Sequence, residues 1–220
     1  SISGNNTFSN VSQFGIHATS VVRGLVIANN SFDQPAGATA IAVGGVRNAV
    51  IGGTTPAEGN RITGGQRGIY AYSTSTGTAL QNNSITNVAE SGIFLAGAQG
   101  GAVRANQISG PGQYGIRVIS SANAVVGGAG DLGNLVAGTV NGGSASGILT
   151  GTTFTGNHFT GNTYGLQLAD ARNLTVTADR VTGFSHSGVY ATGGSAGTVI
   201  ASMAITGDGA ANSVHGVFLS

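Results

Sequence analysis

The sequence predicts an all-β solenoid, a parallel β-helix of about nine turns with three parallel sheets. First, a motif of Asn, one spacer and an apolar residue recurs about every 23 residues throughout the 220-residue chain. Second, a small residue followed by an apolar one comes about ten residues after each of these motifs. Third, glycine makes up 40 of the 220 residues, while no segment has a helical period. Each unit therefore holds short alternating runs that read as strands separated by turns.

Three inward columns follow from stacking the units, since three short strands cannot bury their apolar face alone. The first column consists of the apolar residues of the Asn motif: Phe8, Phe32, Ile62, Ile85, Ile108, Val136, Phe159, Val181 and Ile205. The column after the small residue is Ile16, Ile41, Ile69, Ile93, Ile116, Ile148, Leu166, Val189 and Val217. The column before the Asn is Ile27, Leu80, Val103, Phe154, Val176 and Ile200.

The recurring asparagines predict a ladder along one corner of the solenoid. We expect them to adopt the left-handed conformation that a tight corner needs, and their amides to bond the turns above and below. Asp179 and Met203 fill the same position in the last two turns. The predicted ladder residues are Asn6, Asn30, Asn60, Asn83, Asn106, Asn134 and Asn157.

Composition excludes several classes of function. All eight basic residues are Arg and seven residues are acidic, for a net charge of +1, without a basic face for nucleic acid. There is no Cys, which excludes disulfides, thiol chemistry and Cys-bound zinc. No apolar run is long enough to span a membrane. We predict no cofactor, and we expect residues 1–220 to form a single β-helix domain that is part of a longer chain.

The repeat of Gly-Asn-x-Ile and Gly-Ile-x-Val steps resembles the right-handed parallel β-helix of the pectate-lyase-like superfamily, in its divergent bacterial repeat group. The resemblance covers the whole chain and specifies the fold much more closely than the function. It implies a saccharide groove on the outer face of the Gly-Ile strands. It also implies a secreted or cell-surface bacterial protein.

On that outer face, the residue after each inward apolar one forms a stripe rich in aromatic side chains. Aromatic rings stack on sugars, and Arg and Tyr bond hydroxyls and carboxylates. The alternative is that the stripe shields the sheet or packs against a partner. Ala42, Leu149 and Gln167 are expected in the same column. The candidate ligand-binding residues are His17, Tyr70, Tyr72, Phe94, Arg117, Tyr190 and Phe218.

A catalytic site has weaker support. Lyases and epimerases of acidic sugars need a base, an acid and a partner for the uronate carboxylate. The best candidates are Tyr70, Glu90 and Arg117, supported by Arg67 and by two further tyrosines, Tyr72 and Tyr114. The seven acids fall in different turns, and the catalytic motifs of polygalacturonases, pectate lyases and mannuronan epimerases are absent.

Metal and ice binding are not predicted. The four histidines, His17, His158, His186 and His215, do not converge with a carboxylate at metal-ligand spacing. Aligned Thr-x-Thr pairs, which an ice-binding face would need in many turns, occur in two turns only.

Where the spacing between successive Asn motifs is longer than about 23 residues, we expect the chain to leave the stack of turns in a loop, here called an excursion. Residues 52–59 and 125–134 are expected to leave it at the Asn corner, three turns apart. The first is rich in glycine, but the chain has no Lys, so it does not fit a phosphate-binding loop. Two further enlargements, residues 139–146 and 207–214, are expected at the third corner, which is the corner directly before the Gly-Ile strand of each turn.

Three functional hypotheses remain from the sequence. The first is a polysaccharide-interacting β-helix domain. The second is a structural element of an adhesin, surface filament or phage tail fibre, with a homo-oligomer or missing flanking domains covering the stripe. The third is a lyase or epimerase acting on acidic polysaccharide.

Overall fold

The computed structural model describes residues 1–19, 23–73, 75–110, 112–209 and 215–220. Every strand in these residues belongs to one of three nine-stranded sheets, and each sheet takes every third strand in chain order. All strand pairs are parallel, so each turn of the solenoid adds one strand to each sheet. The predicted nine-turn parallel β-helix is therefore confirmed.

The three sheets differ in the length of their strands. The first contains Ile2–Ser3, Val26–Ala28, Val50–Gly52, Ala79–Gln81, Ala102–Arg104, Val125–Gly127, Thr153–Thr155, Thr175–Thr177 and Val199–Ala201. The second contains Thr7–Ser9, Ser31–Gln34, Arg61–Gly64, Ser84–Thr86, Gln107–Ser109, Leu135–Ala137, His158–Thr160, Arg180–Thr182 and Ala204–Thr206. The third contains Phe14–Thr19, Thr39–Gly44, Arg67–Tyr72, Ser91–Ala96, Tyr114–Ile119, Asn141–Ile148, Tyr164–Arg172, Ser187–Thr192 and His215–Leu219.

The core is the set of three inward columns, which run the length of the solenoid. In the third sheet Ile41 pairs with Ile69, and Ile69 with Ile93; all three are fully buried. The inward Phe159 of the second sheet and Phe154 of the first are also fully buried. Identical positions stack on identical positions, so each turn buries its apolar face on the next.

The Asn ladder is present. Each side-chain amide donates to the Oδ1 of the ladder residue in the next turn, over N···O distances of 2.8 to 3.2 Å. From Asn30 onwards the same Oδ1 also accepts the backbone N–H of the preceding ladder residue, as in the bond from Asn60 to Asn83 at 3.2 Å. Because the ladder asparagines from Asn30 onwards are buried, their bonds satisfy groups that water cannot reach.

Asp179 ends the ladder, and it is the one carboxyl group in it. Its Oδ1 accepts two bonds from Asn157, at 2.7 Å from the backbone N–H and 2.8 Å from the amide. Its Oδ2 is buried and has no partner. Burial raises the pKa of Asp179 from 3.8 to about 7, although the two bonds from Asn157 act in the opposite direction.

The expected conformation of the ladder asparagines is wrong by one residue. Except before Asn60 and Asn134, the left-handed residue lies immediately before the ladder position, as at Asn29 with φ 53° and Asn82 with φ 57°. Ladder residues such as Asn30 and Asn83 are absent from the positive-φ residues of the described chain. The corner therefore uses two residues: one makes the sharp turn and the next forms the ladder.

The predicted register of turn six is also wrong. Gly143, not Ile148, pairs with Ile116 and Leu166 at the inward position. Ile148 is 62 % exposed, whereas Leu149, expected to face outward, is fully buried; Ser144 takes the outward position. The strand starts at Asn141, so the Gly-Ile step that suggested the register lies at its far end. For the same reason residues 139–146 form no enlarged corner.

The two excursions at the Asn corner are confirmed. Each replaces a two-residue corner by a longer loop with a short 3₁₀ helix, Pro56–Glu58 or Gly130–Leu132. The later enlargement, residues 207–214, separates the strands Ala204–Thr206 and His215–Leu219 as predicted, although residues 210–214 lie outside the described residues. None of the helices in the described residues is long and apolar enough to cross a membrane.

Candidate functional site

The outer face of the third sheet carries three outward columns because its strands contain an irregularity at the Gly-Ile step. The pairing register skips the glycine, as between Phe14–Thr39 and Ile16–Ile41. A Cβ on Gly15 would lie 2.9 Å from the buried ring of Phe32, so the glycine and the following Ile both face the core. The residue before the glycine then faces outward, as do the two that alternate after the Ile.

All five tyrosines of the chain lie in strands of this sheet, and all are partly exposed. The stripe predicted from the sequence is therefore the middle column of a wider aromatic face. Tyr114 and Tyr164 belong to the column before the glycine, where they pair with Asn141 between them. Tyr72 belongs to the third column.

Aromatic rings from turns one to four form the N-terminal aromatic cluster. Its rings contact one another in a chain, with centroid separations of 4.3, 6.4, 4.7 and 4.9 Å. Tyr72 lies over Gly44 and shares a 2.8 Å hydrogen bond between its hydroxyl and His17 Nε2. A Cβ on Gly44 would lie 2.4 Å from the Tyr72 ring, so this arrangement requires glycine there. The members of the cluster are Phe14, His17, Tyr72, Tyr70 and Phe94.

Two arginines and one glutamate continue this cluster into turn five. Arg67 Nη2 lies 2.7 Å from Glu90 Oε2, and Arg117 Nη1 lies 3.4 Å from Glu90 Oε1. The Arg117 guanidinium also lies 5.0 Å from the Phe94 ring centroid and 4.6 Å from that of Tyr114. One carboxylate between two guanidinium groups leaves a formal charge of +1 on an aromatic surface, which favours anionic or hydroxyl-rich ligands.

The C-terminal aromatic cluster occupies turns seven to nine of the same face. Tyr190 contacts Tyr164 at 5.1 Å and stacks on Phe218 at 5.0 Å. His186 lies 4.7 Å from Tyr164, and His215 lies 5.1 Å from Phe218. Small and polar side chains separate the two clusters, because Ser144 and Gln167 fill the middle column between Arg117 and Tyr190. The clusters are thus three turn spacings apart, roughly 14 Å.

The structure brings the weak catalytic candidates together without completing a catalytic set. Tyr70 lies beside Arg67, whose guanidinium is 5.2 Å from its ring centroid, and Arg67 pairs with Glu90. Both carboxylate oxygens of Glu90 face arginines, so this carboxylate is already engaged in two ion pairs. In the described residues no three His, Asp or Glu side chains form a group that could hold a metal ion.

The ligand-binding candidates thus fall into two groups on one face. His17, Tyr70, Tyr72, Phe94 and Arg117 lie in or beside the N-terminal cluster, and Tyr190 and Phe218 lie in the C-terminal one. Of the stripe, Ala42 is fully buried and Phe94 is only 8 % exposed. Sequence reasoning placed neither Phe14 nor Tyr164 on the face; the signal in both strands was an aromatic residue directly before the Gly.

Comparison with known proteins agrees with this architecture. No curated protein matched the chain. The family model described as the right-handed beta helix region matches residues 1–129, more than half of the chain. That match and the parallel three-sheet solenoid are consistent with the pectate-lyase-like superfamily. The chain belongs to the right-handed β-helix family.

Proposed function

We propose that the chain binds polysaccharide along the outer face of the third sheet. One observation carries the proposal: all five tyrosines of the chain lie in strands of that sheet. The chain has only 13 aromatic residues, five Tyr and eight Phe, so this one face holds every aromatic ring that has a hydroxyl group. Core packing does not require tyrosine in these columns, because the positions face outward. A partly exposed ring with a polar tip suits a ligand that has both apolar faces and hydroxyl groups.

The two aromatic clusters would act as separate platforms for one extended chain. The N-terminal cluster adds Arg67 and Arg117, which supply donors to hydroxyl or carboxylate oxygens. The C-terminal cluster presents Tyr164 and Tyr190 beside two histidines. Between them, Ser144 and Gln167 leave room for a chain to pass and provide hydrogen-bonding groups. A role as a secreted or cell-surface bacterial protein fits such a ligand and rests on the family resemblance.

A structural element, such as an adhesin or tail-fibre stalk, is the second candidate. The observation that favours it is ring stacking between adjacent turns, as in Tyr70–Phe94 at 4.9 Å and Tyr190–Phe218 at 5.0 Å. Such stacks stabilise the solenoid itself and leave Phe94 only 8 % exposed. In this role a homo-oligomer interface or a flanking domain would cover the face.

A glycan array followed by titration calorimetry tests the first candidate. We expect Tyr70→Ala and Tyr190→Ala each to weaken binding of the selected glycan by about tenfold, since removal of an aromatic platform costs on the order of 1 kcal/mol or more. Arg117→Ala should also weaken it. The matched controls are Arg180→Ala, on the second sheet, and Val199→Ala, an exposed apolar side chain on the first.

Light scattering separates the two candidates. A monomer that binds glycan and loses binding through the Tyr70 and Tyr190 variants supports the first. An obligate oligomer that these variants dissociate, with no glycan bound at millimolar concentration, supports the stalk and rejects polysaccharide binding at this face.

A further inference from the structure

A second feature of the described chain that could hold a ligand lies away from the aromatic face. It is a groove of about 830 Å³ at the Asn corner, between the two excursions that carry the 3₁₀ helices Pro56–Glu58 and Gly130–Leu132. These excursions form its walls, and the short corners of turns four and five form its floor. The walls are three turn spacings apart, roughly 14 Å. A groove of this volume is in the range of sites for small ligands.

Hydrogen bonds hold both walls to the floor. Asn82, on the floor, donates from Nδ2 to the carbonyl of Gly53 at the base of the first wall, over 2.6 Å. The backbone N–H of Ala105 donates to the carbonyl of Leu132 in the second wall, over 3.0 Å. Within the first wall, Glu58 accepts bonds from the two preceding threonines, and these bonds lower its pKa. The groove is therefore built by the native fold and does not need a ligand to shape it.

The polar groups that line the groove are balanced in charge. Arg104 lies on the floor and Asp131 on the second wall, and within the described residues neither forms an ion pair. Gln81 and Gln107 add side-chain amides, each with two donors and an acceptor. His158 lies at the far edge with its Nε2 2.9 Å from a threonine hydroxyl; burial first, and then the charge of a nearby arginine, lower its pKa and favour the neutral ring.

Apolar side chains complete the walls. Pro56 lines one of them and Leu132, which is 46 % exposed, lines the other. A ligand lying across the corner would thus have apolar contacts on its two sides and amide, guanidinium and carboxylate groups at hand. This combination suits a compact molecule with hydroxyl groups around its rim, since a hydroxyl both donates and accepts.

We infer that this groove between the excursions binds a small neutral polyhydroxylated ligand, of the mono- or disaccharide class, at a site separate from the aromatic face. The balance of Arg104 and Asp131 gives no net attraction for an anion, and the two glutamines match hydroxyl groups. This inference does not depend on polysaccharide binding at the third sheet, because no residue is shared by the two sites.

Nuclear magnetic resonance of the ¹⁵N-labelled chain tests the inference, with glucose, maltose and cellobiose as the probes. We expect one of them to shift the side-chain amides of Gln81 and Gln107 and the backbone amides of residues 130–133. The double variant Gln81→Ala/Gln107→Ala should weaken that binding by about tenfold or more, since it removes the hydrogen bonds of two side-chain amides. The matched control is Gln13→Ala/Gln113→Ala, which removes two exposed glutamines at the third corner.

A second variant removes the first wall. Replacing residues 53–59 by one Asn recreates at turn three the short corner Gln81–Asn82–Asn83 of turn four, with Asn60 kept in the ladder. We expect this variant to keep the β-sheet circular dichroism and to lose the sugar-induced shifts. The double variant Tyr70→Ala/Tyr190→Ala should retain them, which separates this site from the aromatic face. Absence of shifts at the groove with all three sugars, unchanged binding in either groove variant, or shifts with inorganic phosphate alone would overturn the inference.

Discussion

Replacing Asp179 by Asn should stabilise the solenoid at neutral pH and have little effect in acid. Asp179 occupies the eighth position of the ladder, where Asn157 donates two hydrogen bonds to its Oδ1 and where its buried Oδ2 has no partner. An asparagine keeps the acceptor and turns the idle oxygen into an NH₂ group. By the pattern of the preceding turns, where Asn157 donates to the carbonyl of Val126, this group would reach the carbonyl of Phe154.

The size of the effect follows from the difference in pKa between the folded and unfolded chain. Burial raises the pKa of Asp179 from 3.8 to about 7. Between these values the unfolded chain releases the proton while the folded chain keeps it, so the free energy of unfolding falls as the pH rises through this window. Each pKa unit is worth about 1.4 kcal/mol, so the full loss above pH 7 is on the order of 4 kcal/mol, and below about pH 4 it is zero.

Thermal unfolding followed by circular dichroism from about pH 4 to about pH 8 measures this difference. The unfolding midpoint of the native chain should fall across that range by more than the midpoint of Asp179→Asn, and the two chains should converge in acid. Asp131→Asn, at an exposed acid on the second excursion, is the control and should follow the native chain. If Asp179→Asn and the native chain keep parallel pH profiles, Asp179 is not a buried proton-binding group and the reasoning is refuted.

Three other changes test the packing and the outer face. Gly115→Ala should destabilise the chain by several kcal/mol in urea unfolding, because its Cβ would lie 2.1 Å from a core methyl group; Gly216→Ala, at the same repeat position with open space around it, should have little effect. Leu149→Ala should cost about 2 to 5 kcal/mol, whereas Ile148→Ala should cost under about 0.5 kcal/mol; the reverse order would restore the register inferred from the sequence. Glu90→Gln should change stability by less than about 1 kcal/mol because its ion pairs are partly exposed, but should strengthen binding of anionic saccharides in calorimetry by freeing both arginines.

Most inward residues were predictable because they stack on another apolar residue at the equivalent position of the neighbouring turns. Ile69 has Ile41 on one side and Ile93 on the other, so aligning the repeats is enough to predict the contact. The same holds for the ladder, where one amide per turn bonds the next. A contact between equivalent positions needs no knowledge of the loops that separate them.

Turn six shows where this reasoning fails. Its inward position in the third sheet is Gly143, which lacks the apolar side chain that marked the other turns. The sequence pattern therefore assigned the inward position to the nearest Gly-Ile step, at residues 147–148, although this step lies at the end of the strand. A hydrophobic pattern cannot detect a glycine at an inward position, and here the strand pairing with Ile116 and Leu166 identifies it.

The groove between the excursions escaped sequence reasoning for a different reason. Both excursions were located correctly, but a cavity is a property of the space between loops, and its floor comes from turns that contain no unusual residue. The spacing of three turns was readable from the repeat. The groove exists because the two excursions stand on either side of two short corners. This arrangement depends on how each excursion folds back on the stack, which the repeat does not show; the hydrogen bond from Asn82 to Gly53 is one example.

Strand length explains why the aromatic residues gather on one sheet. Most strands of the first and second sheets contain three residues with the central one inward, as in Ala79–Gln81, so each offers two outward columns next to a corner. Strands of the third sheet contain five or more residues, and the irregularity at Gly-Ile adds an outward column, which gives three. Among the described residues, rings of neighbouring columns contact each other within one turn on this face, as Tyr70 and Tyr72 do at 4.7 Å. An extended ligand that needs a flat aromatic surface would therefore bind this sheet, whereas the corner excursions form the walls of a groove suited to small ligands.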